Sequence, residues 1–100
     1  MNIIYSRSFE KAVDKLSGKT LDSVLKVLIE VKQAKKIEDI KECVKLSGFN
    51  NVYRIRAGDY RMFFTLHIYV EGNTLFFEYL VPRGQAYNKY FLSVLRKKDS

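Results

Sequence analysis

The chain has 100 residues, 18 of them Lys or Arg against 11 Asp or Glu, for a formal charge of +7 at neutral pH. That length suits one domain over residues 1–100 with a single modest core and no second module. The cation excess points to an anionic partner, whether nucleic acid, an acidic protein or a membrane surface, and a single cysteine, Cys43, excludes an internal disulfide.

No Cys/His spacing resembles a zinc site, so no metal and no other cofactor is expected. The apolar stretch in Met1-Asn2-Ile3-Ile4-Tyr5 is too short for a signal peptide, and no segment is long enough to span a bilayer. The expectation is a cytoplasmic protein with no membrane partner.

Asn2 to Tyr5 reads as a short first strand. Ser6 or Ser8 then caps a helix with Glu10 in its first turn and Phe9, Val13 and Leu16 as its apolar stripe. Gly18 is expected to stop that helix and Thr20 to cap a second, with Asp22 in its first turn and Leu21, Val24, Leu25, Leu28 and Val31 on one face. From Lys35 to Ser47, the positions of Ile37, Ile40 and Val44 suit a short irregular helix, and Lys45-Leu46-Ser47-Gly48 leads into a sheet.

Beyond Phe49 the apolar period becomes two. Runs on either side of Gly58-Asp59 predict a hairpin with a type II′ turn, pairing Ala57 with Tyr60, Arg56 with Arg61, Ile55 with Met62 and Arg54 with Phe63. Tyr60, Met62, Phe64, Leu66, Ile68 and Val70 are expected on the core face. A turn at Gly72-Asn73 then leads into a strand from Leu75 to Val81, whose Leu75, Phe77, Tyr79 and Val81 join that face, and Pro82 ends it. This register pairs Val70 with Leu75, His67 with Glu78 and Phe63 with Pro82. A final helix carries Tyr87, Tyr90, Phe91, Val94 and Leu95 at helical spacing, ending in Arg96-Lys97-Lys98. The order is β-α-α-β-β-β-α, an α+β fold with a small, mainly antiparallel sheet, an N-terminal helical hairpin and a C-terminal helix.

Like charges opposite one another on a sheet face are destabilising, so the Arg56:Arg61 pair needs an offset, and a phosphate bound by the guanidinium forks supplies one. Strand ends meeting at one edge bring Arg54, Arg56, Arg61 and Arg83 to a common corner. Tyr53, Tyr60 and Tyr87 lie near it as candidate stacking rings, and Tyr87, four residues after Arg83, can return toward it within one helical turn. His67 is six residues from Arg61, about 20 Å at roughly 3.3 Å per residue. It is assigned to a cross-strand pair with Glu78, and Cys43, without an activating partner in sequence, to a small half-buried position.

These residues also resemble the RelE/ParE superfamily of bacterial toxin-antitoxin toxins. The resemblance rests on the element order, on Lys45-Leu46-Ser47-Gly48, Tyr53-Arg54-Ile55-Arg56 and Gly58-Asp59-Tyr60-Arg61, and on Arg83 followed by Tyr87, and it covers nearly the whole chain. It implies the toxin of a type II toxin-antitoxin system. RelE-like members cut messenger RNA on the ribosome, ParE-like members poison DNA gyrase, and both are neutralised by a cognate antitoxin. ParE-like proteins generally lack so complete a basic set, which favours the RelE-like branch. The alternatives are a gyrase inhibitor acting without catalysis and an inactive toxin-like RNA-binding module.

The implied chemistry is metal-independent attack by the RNA 2′-hydroxyl on its own phosphodiester. Arg56, Arg61, Arg83 and Tyr87 would form the catalytic group, with Arg54, Tyr60 and Lys45 contacting substrate, and the implied partners are the antitoxin, the ribosome and messenger RNA. The chain departs from relatives that place lysines at positions 54 and 56 or use a glutamate or a His-Tyr pair near the C-terminus. Arginine stays protonated and makes a poor base, which leaves Asp59 of the turn as the substitute in view.

Overall fold

The structure, a computed structural model, describes residues 1–99. Among these residues, strands β1 (Asn2–Tyr5), β2 (Cys43–Lys45), β3 (Val52–Ala57), β4 (Tyr60–Tyr69) and β5 (Gly72–Pro82) form one sheet. It is accompanied by helices α1 (Arg7–Asp14), α2 (Gly18–Gln33) and α3 (Lys89–Arg96). The strand order is β1-β5-β4-β3-β2, with β1 parallel to β5 and the other neighbours antiparallel. The α+β class and the helical hairpin are as the sequence predicts.

Local chemistry sets the first boundaries. Ser6 caps α1, its Oγ accepting from the Phe9 N–H at 3.0 Å and donating to the Glu78 carbonyl at 2.7 Å, so the cap also ties α1 to β5. At the α1–α2 junction the expectation fails. Gly18, with φ of 58°, opens α2 rather than ending α1, and Thr20 lies inside the helix instead of capping it.

Between α2 and the sheet, only Ile37–Asp39 forms a turn of 3-10 helix, and Cys43–Lys45 is the edge strand β2 where an irregular helix is expected. Its β-branched and apolar residues suit either form locally. The deciding partner is β3, reached through the pairs Cys43↔Ile55, Val44↔Arg54 and Lys45↔Tyr53.

The β4–β5 turn falls at Val70-Glu71, not Gly72-Asn73. His67 faces Thr74 instead of Glu78, and Tyr60 rather than Phe63 faces Pro82. A four-residue slip leaves each side chain on its own face, so alternation alone cannot detect it. Gly72 adopts φ of 131° where the chain enters β5.

A bulge then changes the faces. Phe64 pairs with Phe77 but Phe63 pairs with Tyr79, which leaves Glu78 as the extra residue. Beyond it Leu80 joins the helical-hairpin side, while Tyr79 and Val81 turn to the opposite side and not to the face of Leu75 and Phe77.

The sheet is therefore buried on both faces. Phe9, Val24, Leu28, Ile55, Met62 and Phe64 build one core beneath α1 and α2, and Phe49, Val52, Phe63, Ala86, Phe91 and Leu95 build a second beneath α3. Ile68 and Val70, expected in the core, are 77% and 104% exposed because the β4–β5 hairpin outruns the helices. Tyr87 and Tyr90 likewise stay outside the packed face of the C-terminal segment.

Two contacts clasp the end of α3 to the β2–β3 loop. The Asp99 carboxylate accepts from the backbone N–H groups of Asn50 and Asn51 at 2.7 and 2.9 Å. Arg96 donates to the Gly48 carbonyl at 3.1 Å and lies 4.4 Å from the centre of the Phe49 ring. Phe91 is the anchor, meeting Phe63 at 4.9 Å and Tyr79 at 5.6 Å between ring centres. Phe91→Ala is expected to lower the free energy of unfolding by about 3 kcal/mol, measured by urea denaturation.

Candidate functional site

Alternation along β3 sends Tyr53, Ile55 and Ala57 toward α1 and α2, and Val52, Arg54 and Arg56 toward α3. The hairpin register is the one read from the sequence, with Arg56 opposite Arg61 and Arg54 opposite Phe63. Gly58 carries φ of 63° and Asp59 does not take a positive φ, as a type II′ turn requires. Two strands thus place three guanidinium groups on one face.

Arg61 is held from below. Its Nη1 donates to the carbonyls of Gly58 and Tyr60 at 2.8 and 2.9 Å, fixing the side chain against its own turn. Arg54 and Arg61 are each only 7% exposed, and each has a buried Nε with no hydrogen-bond partner. Burial lowers the pKa of Arg61 from its ordinary value, and the charges of Arg56, Arg54 and Arg83 lower it further against an opposing influence from Tyr87. Those four neighbours are the ones the sequence gathers with it.

Arg83 arrives by a different route from the expected register. Its N–H donates to the Asp59 carbonyl at 2.8 Å, docking the 3-10 turn Arg83–Gln85 against the hairpin tip. Tyr87 follows that turn and precedes α3, and it is 52% exposed, so a 3-10 turn and not a turn of α-helix returns it to the corner.

The sequence reading missed Glu42. Its carboxylate lies 3.7 Å from Arg56 Nη1, the one ion pair among the described residues, and its carbonyl accepts from the Arg56 N–H at 3.2 Å. Glu42 has φ of 57°, unusual for a side chain-bearing residue. Only the β2–β3 pairing brings it here, and no local signal announces it. Both partners are more than half exposed, so the pair offsets little of the repulsion among the arginines.

Other candidates lie apart. Lys45 pairs with Tyr53 and so sits on the α2 side of the sheet edge, while Tyr60 pairs with Ala57 and packs against the first core. His67 and Glu78 do not face each other but share one hydroxyl. Thr65 Oγ1 donates to Glu78 Oε2 at 3.1 Å and receives His67 Nε2 at 3.2 Å. Cys43 is half-buried, as expected, and burial pushes its thiol up to about 11 against the opposing charge of Arg54. Among the described residues no group of three His, Cys, Asp or Glu side chains is placed to hold a metal ion, and no helix is long and apolar enough to cross a membrane.

A buried guanidinium without a carboxylate partner costs stability. Arg54→Met is therefore expected to raise the free energy of unfolding by about 1 kcal/mol in urea denaturation. For Cys43, a thiol at about 11 instead of 9.0 leaves so little thiolate at pH 8 that alkylation should run roughly 100-fold slower than for an unfolded cysteine, with urea restoring the rate.

No family model matches the chain. It is 28% identical over 92 residues to Toxin RelE3 of Methanocaldococcus jannaschii, covering 91% of this chain and 99% of that protein. Among solved structures, it is similar to the RelB-RelE antitoxin-toxin complex from Methanococcus jannaschii, with a TM-score of 0.65 and 22% identity over 86% of this chain and 96% of the other. The archaeal RelE-RelB complex from Pyrococcus horikoshii matches with a TM-score of 0.62 and 23% identity over 85% and 97% of the two chains. The isolated E. coli RelE toxin matches with a TM-score of 0.61 and 18% identity over 97% of each chain. The chain thus has the fold of these RelE structures, and its sequence is similar along nine-tenths of its length to that of a RelE toxin.

Proposed function

We propose that this protein is the toxin of a type II toxin-antitoxin pair, a ribosome-dependent messenger RNA endoribonuclease that acts in the cytoplasm and is held inactive by a cognate antitoxin. The observation that carries the reading is the convergence of Arg54, Arg56, Arg83 and Tyr87 on Arg61, with Glu42, paired to Arg56, the one carboxylate in an ion pair with them among the described residues. The similarity to RelE chains found in complexes with RelB supports an antitoxin partner.

In this reading the RNA 2′-oxygen attacks the adjacent phosphorus, the bond to the 5′-oxygen breaks, and a cyclic phosphate remains. Arg61 and Arg83 hold the phosphate and stabilise the charge that builds up in the transition state. Arg56 supports them, and Tyr87 orients or stacks a base. Arg54, as little exposed as Arg61 and not tied to the turn, contributes charge more than direct contact. Glu42, paired with Arg56, is a carboxylate that could accept a proton at the edge of the cluster, and electrostatics with positioning supplies most of the rate. The need for a 2′-hydroxyl confines the reaction to RNA.

The test is cleavage of messenger RNA on programmed ribosomes. Arg61→Ala and Arg83→Ala should each reduce the rate by about 10²–10³-fold while the circular dichroism spectrum is retained. A double variant that cuts like the parent would remove the arginine corner from catalysis. Intact messages accompanied by a DNA-damage response would instead identify a gyrase inhibitor.

A further inference from the structure

Tyr60 borders the arginine corner in sequence but faces the other side of the sheet, where it lines a groove of about 360 Å³ between α1 and the ends of β4 and β5. Ser8 and Lys11 on α1 and Lys15 at its C-cap lie along one side, and Leu16 and Pro82 form apolar wall. No acidic residue lines this groove. Neither lysine has an ion-pair partner among the described residues. The groove on the opposite flank of α1 differs, setting Glu10 and Asp14 with Lys32 over an apolar floor of Phe9, Leu25 and Ile29.

The basic groove begins where the arginine corner ends. Tyr60 directly precedes Arg61, Pro82 directly precedes Arg83, and the Arg83 N–H is bonded to the carbonyl of Asp59, so only the hairpin tip separates the two surfaces. A cationic track beside an aromatic ring is the arrangement that binds single-stranded nucleic acid with little regard to sequence. An acidic protein segment would use the lysines but has no need of the ring. We propose that this groove holds the stretch of RNA flanking the phosphate gripped by the arginines, with Lys11 and Lys15 meeting its backbone and Tyr60 stacking a base. The inference rests on the endoribonuclease reading and extends its substrate contacts around the end of the sheet.

The probe is a 12-nucleotide single-stranded RNA with every 2′-hydroxyl methylated so that no linkage can be cut, titrated by fluorescence anisotropy across a potassium chloride series. Replacing both lysines with alanine should flatten the slope of log affinity against log salt by about 1.4, two contacts at roughly 0.7 each. Tyr60→Leu, which keeps an apolar side chain against the core, should weaken binding at least about 5-fold, and Tyr60→Phe should restore it. Parental slope and affinity in the lysine variant would overturn the proposal, as would a parent that does not bind the oligomer. So would a lysine variant that loses affinity for purified antitoxin but keeps it for RNA. Ribosomal cleavage by Arg61→Ala separates the two claims: loss of cleavage there beside normal binding and cleavage in the groove variants discards the groove alone, whereas normal cleavage by Arg61→Ala discards the reading beneath it.

Discussion

The mutual repulsion of Arg56 and Arg61, held face to face by the register of the β3–β4 hairpin, is the constraint around which the rest of the molecule is arranged. A two-strand ribbon alone would not hold such a pair. Here the opposite face of the same strands carries Ile55, Met62 and Phe64, all fully buried, so the register cannot slip by one residue without exposing that core. Arg61 adds its own restraint by donating to two carbonyls of its turn. The charge cluster is thus maintained by apolar packing on the far side of the sheet.

The bulge at Glu78 gives the sheet its second working face. By moving Tyr79 and Val81 across to meet Phe63 and Phe91, it creates a seat for the C-terminal segment beside the arginines. Without that crossing, the face bearing Arg54 and Arg61 would be open, and their guanidinium groups would be solvated like ordinary surface charges. Covering them partly lowers the local dielectric and strengthens their attraction for an anion. The same covering makes the unliganded state less stable, a familiar exchange of stability for function.

Features set by neighbouring residues were legible in the sequence. The Ser6 cap and the Gly58-Asp59 hairpin each depend on contacts within a few positions, and the Arg56:Arg61 pairing follows from counting outward from one turn. Features set by distant partners were not. The strand at Cys43–Lys45 needs β3, the position of Glu42 needs that strand, and an even slip in the β4–β5 register leaves the alternation of side chains unchanged. The arrival of Arg83 was foreseen through the wrong pairing, yet it reaches the same corner because Pro82 ends β5 opposite Tyr60, at the hairpin. Tyr60 takes the core face that alternation along the strand predicts, and only its nearness in sequence to Arg61 suggests the corner.

The clasp on α3 bears on how the second face opens. A helix of eight residues has little independent stability in water, so α3 persists through Phe91, Leu95 and the hydrogen bonds from Asn50 and Asn51 to Asp99. Its release would expose Phe63 without disturbing the core beneath α1 and α2. Amide protection should therefore divide the molecule into a durable hairpin-and-sheet body and a C-terminal flap held to the β2–β3 loop by the two hydrogen bonds that the Asp99 side chain accepts.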